Sequence, residues 1–183
     1  GDDAAYWAPV SVRKRPDGTT AVFPHFVMDR SKPGTFCVDQ TGERFVNETT
    51  SYHNFGRAMF AAHKARPTIP CWIVCDAAAL KKYGLGMVRM GAKDVSPFLA
   101  DGYLREGRTL AELADRIGVP AAALERSAAE INAAVETGVD PRFGRGTTPY
   151  HRVNGDPNAG YRNPTIGPVA TAPFYAVALH PGD

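Results

Sequence analysis

Glu43-Arg44-Phe45-Val46-Asn47-Glu48-Thr49-Thr50-Ser51-Tyr52-His53-Asn54-Phe55 sets a run of charged and hydrogen-bonding side chains, with one phenol, between two pieces of regular structure. Upstream, Thr35-Phe36-Cys37-Val38-Asp39 and Arg44-Phe45-Val46 read as two short strands joined through Gln40-Thr41-Gly42, a hairpin with glycine in its loop. Downstream, Phe55, Met59 and Ala62 recur at helical spacing, so a helix is expected to start near Ser51. The Asn47-Glu48 pair and Tyr52 then fall on the strand-to-helix turn, where backbone amides are free and a ligand can approach. A first-turn tyrosine also packs as plain structure, so this placement alone does not assign chemistry.

Outward from that stretch the chain reads as α+β, a small sheet with packed helices. Residues 19–28 suggest an edge strand broken by Pro24, and the helix after the turn runs to about 64. Pro70-Cys71-Trp72-Ile73-Val74-Cys75-Asp76 is a continuous apolar run and predicts a buried strand, followed by a helix from Ala77 to Tyr83 that Gly84 ends. Thr109-Leu110-Ala111-Glu112 is a capping box opening a helix whose apolar face is Leu110, Leu113, Ala114 and Ile117, with Gly118 as its stop. Pro120 suits the first position of a second helix carrying Leu124, Ala128, Ile131 and Val135 on one face, with Gly138 at its end. From 140 to 172 the chain is rich in Gly, Pro, Asn and Arg and predicts a long surface loop region.

At 183 residues a single domain with a real core is expected. A net charge of +2 is too small to imply nucleic acid or an anionic membrane surface as a partner. The basic residues Arg142, Arg145, His151 and Arg152 are scattered among Gly, Pro and Thr and read as a solvated loop. No apolar run approaches the ~20 residues of a membrane span. Cys37, Cys71 and Cys75 are odd in number and lie in apolar runs, which predicts buried free thiols and a cytoplasmic, reducing compartment; membrane association would come only through a longer parent protein. The five histidines supply no paired spacing, so no metal site is expected.

The 43–55 stretch resembles the signature of the flavoproteins that include fumarate reductase, succinate dehydrogenase and the 3-ketosteroid dehydrogenases: an Arg-Phe-Val-Asn-Glu segment followed closely by Tyr-His. Other pieces agree in order, namely Tyr6-Trp7-Ala8-Pro9, Asp29-Arg30-Ser31-Lys32-Pro33-Gly34, Lys82-Tyr83-Gly84-Leu85-Gly86, and Pro173-Phe174-Tyr175-Ala176-Val177 running into His180-Pro181-Gly182-Asp183. The resemblance covers nearly the whole chain but only one of that family's two domains. The family binds FAD on a glycine-rich GxGxxG turn, and neither Gly84-Leu85-Gly86 nor Gly144-Arg145-Gly146 supplies the third glycine. The chain is therefore expected to be the capping, or substrate, domain of residues 1–183, excised from a larger flavoprotein. FAD belongs to the full-length protein, with none expected on this piece alone.

The resemblance also implies a reaction. Where the dicarboxylate enzymes place ionic groups, this chain has Ala8, Ser51 and Ala79, which argues against a substrate such as fumarate. Tyr52 falls where the ketosteroid dehydrogenases are similar and carry a tyrosine that takes a proton from the carbon beside a ketone, while hydride passes from the neighbouring carbon to the flavin. A free phenol has a pKa of about 10, so such a base needs a second hydroxyl or a positive group near it. Glu48, Ser51, Phe55, Met59 and Ile73 are the expected substrate contacts, and His180 and Gly182 the expected cofactor contacts. Glu48 has an equally good reading as a helix cap paired with Arg44. The expected partners are a small apolar ketone and the FAD domain. The alternatives are a reductase of small unsaturated acids and a non-catalytic binding module of the same fold.

Overall fold

The structure, a computed structural model, describes residues 6–182. Its strands are β1 (Ala8–Lys14), β2 (Thr20–Pro24), β3 (Thr35–Val38), β4 (Cys71–Asp76), β5 (Arg105–Gly107) and β6 (Phe174–Gly182). All pairings are antiparallel, in the order β2-β1-β6-β4-β3, with β5 beside the first half of β6 and β1 beside its second half. The helices are α1 (Tyr52–His63), α2 (Ala77–Tyr83), α3 (Ser96–Ala100), α4 (Leu110–Ile117), α5 (Ala121–Thr137) and α6 (Pro149–Val153).

β4 lies between β3 and β6 and is covered on both faces, which is why its sequence is continuously apolar instead of alternating. Cys71, Ile73 and Cys75 join Phe55 and Met59 of α1 and Leu80 of α2 in one core. Val74 joins Phe36 and Val38 of β3, Leu113 of α4, and Leu124 and Ile131 of α5 in a second core on the opposite face. The sheet thus separates two packed layers, an α+β architecture. The three cysteines are free thiols with no exposed surface, and burial pushes each thiol pKa up.

Several local expectations hold residue by residue. Ser51 caps α1 by accepting the Asn54 amide, Asp76 caps α2 by accepting the Ala79 amide, and Gly118 and Gly138 end α4 and α5 in the left-handed conformation. Pro120 stands one residue before the first turn of α5, as its cap residue. At α4 the Thr109 hydroxyl accepts the Glu112 amide as expected, but the glutamate reaches back to the Arg108 amide instead of that of Thr109.

Two expectations are corrected, and one cause underlies both. Residues 44–46 form no strand, and the second edge of β3 is left without a hairpin partner. Asp39 folds the chain back by accepting the Thr41 and Glu43 amides, and Arg44 turns inward. Its guanidinium bonds Glu48 at 2.9 and 2.8 Å, Asp140 at 2.9 Å and Glu130 at 2.8 Å, with Arg44, Glu48 and Asp140 all buried. Arg145 adds a second cation 3.6 Å from Glu48 and donates to the Thr35 carbonyl at 2.6 Å. The 140–172 segment is therefore a surface excursion only in part. Asp140, Arg145, Asn163, Thr165, Ile166 and Val169 are buried, and the segment carries α6 and a short 3-10 turn at Pro157–Ala159. Composition hid this because a buried charge next to opposite charges packs where a solvated one would not.

That cluster sets an acid limit. Burial would raise the Glu48 and Asp140 carboxyls, but Arg44 outweighs it and holds both below the usual range. A carboxyl with a depressed folded-state pKa adds stability above its unfolded value and loses it as pH falls through the folded one. Unfolding free energy measured by urea titration should therefore fall steeply below about pH 4, beyond the shallower loss between about pH 7 and 5 that the lowered pKa values of His180 and His151 bring. Stability unchanged down to pH 3 would rule out these carboxylates as the determinant.

Candidate functional site

Arg30 brings the Tyr52 turn against the segment that follows β2. Its side chain has no exposed surface, donates to the His25 carbonyl at 2.9 Å, to the Glu48 carbonyl at 2.6 Å and to the Thr50 carbonyl at 3.2 Å, and lies 4.6 Å from the centre of the Phe55 ring. Three carbonyls from two segments thus share one guanidinium, which fixes residues 48–50 relative to residue 25. Tyr52 occupies the first helical position just beyond this anchor, 36% exposed, with its ring edge-on to Phe26 at 5.4 Å. Among the described residues no group hydrogen-bonds its hydroxyl, so the phenol is free to meet a ligand.

Phe26 also forms one wall of an open groove of about 310 Å³, whose other uncharged walls are Phe23, Pro24, Met28, Tyr83, Leu85, Gly86 and Met90. Phe26, Met28 and Met90 are 51, 58 and 70% exposed, an unusual concentration of large apolar side chains facing solvent. Asp29 and Lys32 are the groove's charged members. Burial raises the Asp29 carboxyl, but His25 and Arg30 outweigh it and hold it low; Lys32 is pushed down by burial and donates to the Gly155 carbonyl at 2.9 Å.

The expected contacts divide sharply. Tyr52 and Ser51 stand at the surface, Ser51 with its hydroxyl engaged as the cap of α1. Phe55, Met59 and Ile73 have no exposed surface and pack on one another's core, so they offer no face to a ligand; the helical spacing that suggested a binding stripe is a core stripe. Glu48 likewise is corrected from a substrate contact to a structural anion, held by Arg44 and Arg145 and accepting the Cys37 amide. Of the residues aligned with ionic groups of the dicarboxylate enzymes, Ala79 is buried in α2 and Ala8 begins β1.

His180 and Gly182 lie at the end of β6, half-buried, paired with Val10 and Ala8 of β1, and burial lowers the His180 pKa. Asp183, which closes that motif, lies outside the described residues. The direct junction of β4 with α2 has Asp76 and no glycine at the turn, and Asp76 already caps the helix. A dinucleotide phosphate does not fit there.

Phe26 and Met28 fall in the 19–28 stretch whose sequence suggests an edge strand broken by Pro24, and the structure makes that break the strand's end; Met90 lies in the turn region after α2, where no sequence pattern marks it. Pro24 ends β2, so the apolar residues beyond it have no sheet to cover them. That break was the available signal.

A family model described as FAD binding domain matches residues 2–183. The 4-oxocyclohex-2-ene-1-carboxylate 5-dehydrogenase of Sinomonas cyclohexanicum is 41% identical over 177 residues, 97% of this chain and 30% of that protein. The 3-oxosteroid 1-dehydrogenase of Mycobacterium tuberculosis (strain ATCC 25618 / H37Rv) is 33% identical over 166 residues, 87% of this chain and 29% of that protein. A crystal structure of 3-ketosteroid delta1-dehydrogenase from Sterolibacterium denitrificans, in complex with 1,4-androstadiene-3,17-dione, superimposes with a TM-score of 0.89 at 31% identity, covering 98% of this chain and 32% of that one. The chain thus spans under a third of the length of the two curated relatives. With the model matching almost every residue, and relatives above 30% identity sharing its sequence and fold, the chain belongs to the FAD binding domain family.

Proposed function

We propose that this chain is the substrate-facing part of a longer FAD-dependent dehydrogenase that removes hydrogen next to the ketone of a cyclic substrate. The observation that carries this reading is the Tyr52 phenol, without a hydrogen-bond partner among the described residues, standing edge-on to Phe26, which is itself a wall of the open apolar groove. The groove supplies binding energy by burying a ring at roughly 25 cal/mol per Å². Tyr52, once deprotonated, accepts the proton from the carbon beside the carbonyl, and the carbonyl spreads the developing charge. FAD, which a part of the parent protein outside this chain would hold, would supply the acceptor for the remaining two electrons with their hydrogen. The relatives named for cyclic oxo compounds support the same substrate class.

The groove has Lys32 as its single cation, with one of its hydrogens already on the Gly155 carbonyl, which does not suit two carboxylates. The full-length parent should therefore reduce an artificial electron acceptor with 4-androstene-3,17-dione or a cyclohexanone derivative, and should be inert with succinate and, in the reverse direction, fumarate. Faster turnover of succinate or fumarate than of every cyclic ketone would overturn this reading in favour of a reductase of small unsaturated acids.

A further inference from the structure

Four polar side chains with no part in proton removal are stacked beneath the groove. Tyr103 Oη lies 2.7 Å from Ser11 Oγ, Ser11 Oγ 2.7 Å from His25 Nε2, and His25 Nδ1 2.5 Å from Asp29 Oδ2. Ser11 and His25 have no exposed surface and Tyr103 is 5% exposed, so each hydrogen needs an acceptor within the protein. The Met87 amide donates to Tyr103 Oη at 3.0 Å and the Gly86 amide to Asp29 Oδ2 at 3.3 Å. One assignment satisfies every group. Tyr103 donates to Ser11, Ser11 donates to a neutral imidazole at Nε2, and the imidazole donates from Nδ1 to the Asp29 carboxylate.

Both ends of this chain of bonds close on the same two-residue turn. Leu85 and Val88 exchange backbone hydrogen bonds of 2.8 and 3.0 Å, so Gly86 and Met87 are the central residues, and both their amides are captured from below. Gly86 has φ +55°, and a Cβ there would sit 2.3 Å from Tyr103 Oη and 3.0 Å from the His25 ring. The turn therefore rests directly on the network. Leu85 and Gly86 are groove walls, and Asp29 lines the groove itself.

We propose that Tyr103, Ser11, His25 and Asp29 are positioning residues that hold the 85–88 turn and so set the shape of the groove for the ring of a cyclic ketone. This rests on the function proposed above for the groove. The network connects β1, the segment after β2, the 85–88 turn and the segment before β5; Leu85, Val88, Tyr103 and Leu104 also share one core, and the hydrogen bonds add the direction and register that apolar packing alone does not fix.

The test compares His25→Leu with His25→Asn in the full-length parent. Asparagine presents an amide donor near the Nδ1 position and can keep Asp29 in place; leucine cannot. Hydrogen exchange at the Gly86 and Met87 amides, without substrate, should be at least about tenfold faster in His25→Leu and close to wild type in His25→Asn. The KM for the best cyclic ketone should rise about tenfold in His25→Leu with kcat changed less, and recover in His25→Asn, as expected for the loss of one well-placed contact. Equal protection of both amides in wild type and His25→Leu would overturn the proposal, as would a KM unchanged while only thermal stability falls. The exchange arm needs no substrate, so it decides the positioning role even if no cyclic ketone is turned over and the proposed function fails.

Discussion

Tyr52→Phe in the full-length parent lowers the turnover number on its best cyclic ketone about a hundredfold or more and leaves KM within roughly twofold. The substitution removes one oxygen and keeps the ring. The edge-on contact with Phe26 and the first helical position do not depend on that oxygen, so binding and folding should be spared. The hydroxyl makes no hydrogen bond among the described residues, so its loss strands no partner. A turnover number within a few-fold of wild type would mean that the phenol takes no proton and that the base lies elsewhere. Steady-state rates with an artificial electron acceptor, alongside a thermal melt to confirm an intact fold, separate these outcomes.

The largest stability effect is expected at Arg44. Arg44→Met keeps most of the side-chain volume but removes the cation shared by Glu48, Asp140 and Glu130, the first two buried. Arg145 then remains as the nearest cation to Glu48, at 3.6 Å and already committed to the Thr35 carbonyl. Breaking a buried ion pair from one side costs about 3–5 kcal/mol, a large part of the ~5–15 kcal/mol that holds a typical domain folded. Urea unfolding of Arg44→Met against Arg126→Met checks this. Arg126 is mostly exposed and pairs with Glu43, so its removal should cost under about 1 kcal/mol. Equal losses for the two variants would show that the buried cluster adds nothing beyond an ordinary surface pair.

The helices and the central strand were legible from short-range pattern. Cys71–Asp76 could be read as a buried strand because no polar residue interrupts it, and α1, α2, α4 and α5 because their caps and stops are coded in one or two residues each. The resemblance in the 43–55 stretch correctly pointed to the flavoprotein family. What pattern could not carry was direction. Phe55, Met59 and Ile73 have the same spacing whether they face a ligand or a core, and only the position of β4 against α1 decides for the core. Arg44, Glu48, Asp140 and Arg145 are far apart in the chain and individually look solvated, yet each neutralises the others' burial. The groove was missed for the opposite reason: an edge strand broken by Pro24 but running on to residue 28 would give Phe26 and Met28 neighbours, whereas β2 stops at Pro24 and leaves them uncovered.

The anchoring of the Tyr52 turn by Arg30 has an evolutionary consequence. The guanidinium hydrogen-bonds only to backbone carbonyls on the two segments it joins and otherwise lies over the buried Phe55 ring, so the placement of the Tyr52 turn does not depend on which side chains line the groove. Phe26, Met28 and Met90 belong to neither core, and exposed positions of this kind typically tolerate exchange within about 0.5 kcal/mol. A lineage carrying this scaffold can therefore enlarge, shrink or recharge the groove one side chain at a time without renegotiating the fold or moving Tyr52.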